Sequence, residues 1–502
     1  MIINSLLRNP ITSSLINRGM KVYRLASVKL VDFKYEDSKN PSLTKEELIH
    51  YNKHRKLGAK KNLCMAPSTS MFFSFSGEVL MCSQNRVDIL GNVNKNTLSE
   101  IWFNEIRYNL DEKINTHYNL KEGCYRCELS IKSKDYNSLY SQNNDFHIGN
   151  AAKYPKRMGF ELHNFCNLEC IMCNGEFSSA IRVNREKRKP LPFVYTDEFL
   201  NQLDEFLPHL KYADIVGGEP TLITYYYKII DKILQLNPKC LIHIQTNATV
   251  LKDKFKEQLK KGNFEIGLSI DSLDEKIFVS IRKNLVWKDF KSNLDYYIEE
   301  SKANRIKLTV NFCPMPINST QIIPVVEFCN KHKLPLYFCM VESPFICSYL
   351  STSAIFIEKV IKEISNNNLP SSTYYESNNK NQLLSFIELL KHWKTRIELR
   401  ESKSKLILDK TITEIKEEYE GFLSERIPET ENLNLKEELK TFTYSTIDSY
   451  EESLKKEILV FLLVTFDAPI YQIGDNNLLT KFKYDIKEYI DFITDKQPVS
   501  TI

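Results

Sequence analysis

Twelve of the 502 residues are cysteine, and seven of these fall between residues 64 and 173, in two groups. The tighter group lies in the segment Asn164-Phe165-Cys166-Asn167-Leu168-Glu169-Cys170-Ile171-Met172-Cys173-Asn174. Three thiolates so close together can converge on one face of a loop and ligate three irons of a cubane cluster. The next cysteine is Cys240, so no fourth protein thiolate follows nearby. One iron would stay open to a non-protein ligand, as a metal must if it is to bind and activate a substrate. Two other readings stay open here: a zinc site completed by His163, and cysteines with no metal role.

The second group is looser. Cys64 precedes Phe75-Ser76-Gly77-Glu78-Val79-Leu80-Met81-Cys82. Leu90-Gly91-Asn92-Val93 and Leu98-Ser99-Glu100-Ile101-Trp102 follow, and Cys124-Tyr125-Arg126-Cys127 completes the set. This reads as a β-hairpin with a Ser-Gly turn and a cysteine near each end, then a helix and a C-x2-C loop. Four thiolates supply a closed cage for a four-iron cluster or for zinc.

The elements that must hold these groups divide the chain into four regions. Residues 1–58 are a polar N-terminal extension with a helical, charged stretch at 44–56. Residues 59–135 hold the looser cysteines. Residues 155–345 alternate strand and helix. Residues 350–502 lose that alternation and read mostly as helix, at 356–366, 380–408, 411–424, 449–465 and 478–494, with no recognisable chemistry. In the third region, short apolar runs at 159–162, 212–216, 240–245, 265–270, 307–312 and 335–340 read as strands. Amphipathic stretches at 197–207, 226–235, 250–260, 287–301 and 322–331 read as the helices between them. Such alternation predicts an α/β fold with a parallel sheet, wound by right-handed crossovers into a full or partial (β/α)6 barrel. Chemistry then belongs at the loops after the strand C-termini.

The motifs fall at those loops. The cysteine triplet follows the first strand, and Val216-Gly217-Gly218-Glu219-Pro220 ends the second. Gln245-Thr246-Asn247-Ala248 ends the third, Leu268-Ser269-Ile270-Asp271-Ser272 the fourth, and Arg282 lies further on. Glycines there permit close backbone approach, and Asn247, Ser269 and Asp271 are polar residues at the ligand end of apolar strands. The glycine segment also reads as a plain turn, and Ser269 or Asp271 as a helix cap. Cys240, Cys313, Cys329 and Cys339 lie in largely apolar surroundings and read as core.

The C-x3-C-x2-C spacing after a first strand resembles the signature of the radical S-adenosylmethionine (SAM) superfamily. The resemblance implies a 4Fe–4S cluster on Cys166, Cys170 and Cys173, whose open iron chelates the amino and carboxylate groups of SAM. It implies reductive cleavage to a 5′-deoxyadenosyl radical, which abstracts hydrogen from a substrate. It assigns Gly217, Gly218, Glu219 and Pro220 to the amino group, Ser269 and Asp271 to the ribose and methionine parts, and Arg282 to the carboxylate. Met172 stands where the family usually has an aromatic residue. The looser group resembles the twitch domain, the shorter relative of the auxiliary-cluster domain SPASM, placed here before the barrel and not after it. This implies an auxiliary 4Fe–4S cluster on Cys64, Cys82, Cys124 and Cys127.

The implied function is hydrogen abstraction from a peptide or protein side chain, with an external flavodoxin- or ferredoxin-like reductant and a precursor peptide as partners. The alternatives are a radical SAM oxidoreductase acting on a sugar or related small molecule, and a non-catalytic iron–sulfur or zinc protein. A net charge of +4 spread along the chain gives no field for nucleic acid. Residues 1–22 are interrupted by Arg8, Asn9, Pro10 and Arg18, which is unlike a signal peptide. The longest apolar run, 458–466, is far short of the roughly 20 residues a spanning helix needs. Clustered cysteines in such a chain point to a reducing, cytoplasmic setting.

Overall fold

In a computed structural model of the chain, residues 35–136, 139–145, 153–426 and 433–465 are described, with Lys487 and Ile490. Most of the N-terminal extension and the helix expected at 478–494 lie outside the described residues.

Strands β1 (Ser70–Phe73), β2 (Glu78–Leu80) and β3 (Gly91–Asn92) come from the first cysteine region. Strands β4 (Arg157–Phe160), β6 (Tyr212–Ile215), β7 (Leu241–Thr246), β8 (Asn263–Ser269), β10 (Lys307–Phe312) and β11 (Leu336–Phe338) come from the alternating region. All join one nine-stranded sheet in the order β11-β10-β8-β7-β6-β4-β1-β2-β3. The six strands of the alternating region are parallel and adjacent in chain order, the arrangement that successive right-handed β-helix-β crossovers produce. The helices between them bury apolar stripes, such as Phe199, Leu200, Leu203 and Phe206 on Asp197–Phe206. That helix starts at Thr196, whose side chain accepts the Phe199 N–H.

The expected first strand sits two residues earlier than read, at Arg157–Phe160. The Glu161 N–H makes the last ladder bond, to the Phe73 carbonyl (2.9 Å), and the cysteine loop begins at Leu162, whose N–H donates to the Tyr226 hydroxyl (2.8 Å). A two-stranded ladder absent from the sequence reading pairs β5 (Glu169–Cys170) antiparallel with β9 (Arg282–Lys283). Two residues per strand are too short to leave a periodicity.

Alternation along the strands gives the sheet two different faces. One is apolar and lies in the main core: Met158 and Phe160, Ala213 and Ile215, Ile242 and Ile244, Ile266 and Leu268, Val310 and Phe312. The other is polar. On it Asp214 binds Arg157 and, at 3.0 Å, His243. Gln245 donates to Ser269 (2.8 Å) and accepts from Asn311. Gln245 reaches Asn311 across β8 because residue 267 is glycine: a Cβ there would meet Gln245 Oε1 at 2.4 Å.

The cysteine-rich region joins the sheet through β1, which pairs parallel to β4 in the register Ser70↔Arg157 to Phe73↔Phe160. Phe72 lies across Gly159, where a Cβ would meet its ring at 2.4 Å. Residues before position 58 buttress this region. The guanidinium of Arg55 is fully buried against Asp145, and it donates to the carbonyls of Asn62 (2.8 Å) and Leu63 (3.3 Å), just before Cys64.

Beyond the sheet, Ala354–Ser365 and the 35-residue helix Tyr374–Leu408 extend the main core. Ile412–Arg426, Leu433–Ile447 and Glu452–Thr465 form a separate one around Ile415, Tyr419, Leu439 and Leu459. Leu433–Ile447 is missing from the sequence reading. Its Thr-Phe-Thr-Tyr-Ser-Thr run has weak helix propensity, and tertiary packing overrides it: buried Thr443 bonds Tyr419 at 2.9 Å. Among the described residues, no helix is long and apolar enough to cross a membrane.

The Arg55–Asp145 pair sets a stability expectation. Arg55→Ala leaves a buried carboxylate without its partner and should cost about 3–5 kcal/mol. The double variant with Asp145→Ala should recover part of that loss. Denaturant midpoints of the two single variants and the double variant measure the coupling, and simple additivity would show the clamp to be unimportant.

Candidate metal centres and cofactor site

The loop after β4 is built on its own backbone and on the loop after β6. Asn164 donates to the Gly175 carbonyl (2.9 Å), Ser179 Oγ accepts the Cys166 N–H (3.1 Å), and Arg185 donates to the Cys173 carbonyl (2.8 Å). Gly217 and Gly218 have φ of +88° and +53°. A Cβ on Gly218 would meet the Phe165 carbonyl oxygen at 2.2 Å. The glycines thus permit the close approach of one loop backbone to the other, and the Glu219 N–H donates to that same oxygen (2.8 Å).

Glu219 itself is 1% exposed. Its Oε1 accepts from the Thr221 N–H (3.1 Å), the Thr221 hydroxyl (2.7 Å) and the Thr246 hydroxyl (2.7 Å), and its Oε2 from the Asn247 N–H (2.7 Å). Burial raises its pKa while these bonds pull it back. Its visible work is to staple the loop after β6 to the end of β7. Pro220 opens the short turn that follows. Asn247 points its amide at the cysteines, with Nδ2 3.9 Å from Cys166 Sγ and 3.2 Å from Asn167 Oδ1.

Asp271 and Arg282 form a buried ion pair at 2.7 Å. The other carboxylate oxygen accepts the Cys313 N–H (2.8 Å). Arg282 is register partner to Cys170 across the β5–β9 ladder, and its Nη1 lies 3.9 Å from the Cys170 sulfur. Ser269 sits on the polar face, held by Gln245.

The three thiols gather. Burial pushes Cys166 and Cys173 up to about 12, and neighbouring thiols add to it: Cys170 and Cys173 act on Cys166, and Cys170 acts on Cys173. Backbone N–H groups of Leu168 and Asn174 oppose the shift. Sulfurs gathered out of water, pressing on one another and met by N–H donors, fit thiolate ligands of a metal cluster. His163 is committed elsewhere: Nδ1 accepts the Phe165 N–H (3.1 Å) and Nε2 donates to the Leu191 carbonyl (3.2 Å). That removes the fourth ligand of the zinc reading. Met172 packs on an apolar patch with Ile281, Met315, Val341 and Cys347.

The looser group gathers as well. After burial, Cys82, Cys127 and Cys64 are the groups that raise Cys124, while Cys127 and Cys82 raise Cys64. N–H donors surround this set too. The Ala66 N–H is 3.4 Å from Cys64 Sγ, and Asn85 Nδ2 is 3.4 Å from Cys124 Sγ. Asn85 is fully buried, and a Cβ on Gly123 would strike it at 2.2 Å. Neither residue was singled out from sequence, because a donor contributed from outside the C-x2-C spacing carries no motif. Cys127 lies in the first turn of the helix Tyr125–Lys132 and not in a loop. Arg86 links the two groups by a bidentate pair with Glu161 (2.7 and 3.1 Å).

Among the described residues, no three His, Cys, Asp or Glu side chains close on a single metal ion. Cubane ligands hold separate irons. Cys240 and Cys329 are buried core as expected, but Cys313 is half-buried and Cys339 exposed. The expectation for these two is corrected: they follow β10 and β11 at the open ends of the strands, outside the apolar face.

Three variants test this geometry. Gly218→Ala should displace the triplet loop, and Gly123→Ala the Asn85 donor; each should lose about half of the bound iron, from different clusters. Asn247→Ala should keep the iron but shift the triplet cluster to a lower potential, since an N–H donor on sulfur favours the more negative, reduced state. Iron analysis and anaerobic redox titration read both; unchanged iron in the glycine variants would refute the close-approach argument.

Comparison with known proteins finds two matching domain families. Residues 160–329 match the radical SAM superfamily, and residues 64–128 match SPASM, an iron–sulfur cluster-binding domain. Among curated relatives, GTP 3′,8-cyclase of Sulfurimonas denitrificans is 26% identical over 181 residues, covering 34% of this chain and 51% of that protein. The Helicobacter pylori GTP 3′,8-cyclase is 28% identical over 182 residues, with the same coverage of 34% and 51%. The chain thus spans about half the length of these relatives. Among solved structures, anSMEcpe with bound AdoMet is 17% identical, with a TM-score of 0.33 over 41% of this chain and 59% of that one. Streptococcus suis SuiB bound to its precursor peptide SuiA is 20% identical, with a TM-score of 0.31 over 53% and 52%. The two domains imply a 4Fe–4S cluster with SAM and auxiliary iron–sulfur ligation. Residues 160–329 thus carry a radical SAM domain, and a SPASM domain at residues 64–128 precedes it.

Proposed function

We propose that the chain is a radical SAM enzyme that abstracts hydrogen from a peptide or protein side chain lying on the polar face of the sheet. When bound, the cluster and SAM supply one-electron cleavage chemistry and a 5′-deoxyadenosyl radical. Cys166, Cys170 and Cys173 would hold that cluster, and Cys64, Cys82, Cys124 and Cys127 the auxiliary one. The chain's own residues do the positioning. Glu219 holds the glycine loop on the cysteine loop, and Asn247 and Arg282 direct N–H groups at Cys166 and Cys170. Gly217, Gly218, Pro220, Ser269 and Asp271 frame the space where SAM would lie. The electron for cleavage comes from an external flavodoxin- or ferredoxin-like reductant.

The observation that carries the substrate reading is the character of the polar face. Three arginines at this face are already paired with carboxylates: Arg86 with Glu161, Arg157 with Asp214 and Arg282 with Asp271. Neutralised cations are poor partners for a triphosphate. Amide and hydroxyl groups, from Gln245, Ser269 and Asn311, offer the mixed donors and acceptors that a peptide backbone needs. Arg157 is also an electrostatic neighbour of Cys82, so this face runs toward both cysteine groups. An auxiliary cluster held by Cys64, Cys82, Cys124 and Cys127 would supply one-electron redox chemistry suited to a net oxidation.

The reconstituted, anaerobic protein should form 5′-deoxyadenosine, and Cys170→Ala should abolish it. Short peptides encoded beside the gene should raise turnover, with deuterium passing from peptide to 5′-deoxyadenosine. Turnover driven by GTP and not by peptides would replace the peptide reading with a nucleotide one. Failure of the wild-type protein to cleave SAM would end the enzyme reading altogether.

A further inference from the structure

Two cysteines take no part in either cage and face each other at the open end of the sheet. In the β10–β11 ladder, Val310 pairs with Leu336, Asn311 with Tyr337 and Phe312 with Phe338. One further step of that register places Cys313 opposite Cys339. The backbone confirms the step, since the Cys339 N–H donates to the Phe312 carbonyl (2.8 Å). Neighbouring strands lie roughly 4.8 Å apart, inside the roughly 4.4–6.8 Å of Cα separation that a disulfide bridges. The two thiols are close enough that each perturbs the other's titration.

The two positions are unequal. Cys339 is exposed and Cys313 is half-buried. The neighbouring Cys313 holds the Cys339 thiol below its ordinary value and is itself raised. An accessible, more acidic sulfur beside a shielded one is the arrangement of an attacking and a resolving thiol. Cys313 is held in place from behind by its N–H bond to Asp271 (2.8 Å).

We propose that Cys313 and Cys339 form a redox-active dithiol that exchanges with low-molecular-weight disulfides. The Cys339 thiolate attacks one sulfur of R–S–S–R, forming a mixed disulfide and releasing the first R–S⁻. Cys313 gives up its proton and attacks the Cys339 sulfur, forming the Cys313–Cys339 bond and releasing the second R–S⁻. The two thiol protons leave with the two R–SH. The pair loses two electrons and the external disulfide gains them, so the step needs no other oxidant.

The test uses the cluster-loaded protein, kept anaerobic and equilibrated with graded ratios of reduced to oxidised glutathione, then quenched with a maleimide. Tryptic peptides 308–331 and 334–359 carry the two residues, together with Cys329 and Cys347, so fragmentation must assign the link. A Cys313–Cys339 link that grows with oxidised glutathione and disappears with dithiothreitol is the expected result. Cys313→Ser should instead leave glutathione attached to Cys339. No link at any ratio, or a link through Cys329 or Cys347, overturns the proposal. Iron content supplies an independent check: the Cys313→Ser, Cys339→Ser double variant should match the wild type, and a loss of iron would overturn the proposal by making these residues cluster ligands.

Discussion

Everything at the open end of the sheet depends on how two buried carboxylates are satisfied. A carboxylate out of water is tolerated only when its lone pairs are filled. Glu219 fills its own from Thr221, Thr246 and Asn247, and so ties the loop after β6 to the end of β7. Asp271 fills its own from Arg282 and the Cys313 N–H, and so ties the end of β8 to the β5–β9 ladder and to the end of β10. The first frame ends on Cys166 through Asn247, and the second on Cys170 through Arg282. These two frames meet the cysteine loop at different cysteines. Replacing either acid would free several strand ends together.

The auxiliary region obeys the same logic with different parts. Amide donors from Ala66 and Asn85 are aimed at sulfur, and Asn115 brackets Cys64 through its N–H and its carbonyl, each at 2.9 Å. Arg55 fixes the chain just ahead of Cys64 from within the N-terminal extension. Within the extension, Arg55 thus gives mechanical support to the chain leading into Cys64. Arg86 and Glu161 then couple this region to the residue from which the triplet loop departs.

Much of the fold was legible in the sequence, and the reasons are local. Apolar alternation marked the six parallel strands, and the cysteine spacings marked the two groups of thiols that gather in the structure. Pairings between distant segments were not legible. Nothing in Arg282-Lys283 announces a ladder with Glu169-Cys170, and nothing in Asp271 announces that Arg282 will neutralise it. Nothing within its own strand marks Gly267 as the place where the Gln245 side chain crosses. Cys339 misled because composition reports neighbours along the chain, whereas exposure is decided at the strand end, where the ladder stops.

The parallel pairing of β1 with β4 bears on how the molecule is made. Ser70–Phe73 leaves the ribosome well before Arg157–Phe160, the strand that covers its open edge. Until then a short apolar strand, Ser-Met-Phe-Phe, presents unpaired N–H and C=O groups along that edge. A nascent chain in that condition is open to mispairing with other chains. Strand β4 ends this exposure, and the same residues then lead directly into the triplet loop. The open edge of the auxiliary module is therefore covered only once the first strand of the domain that follows it has been made.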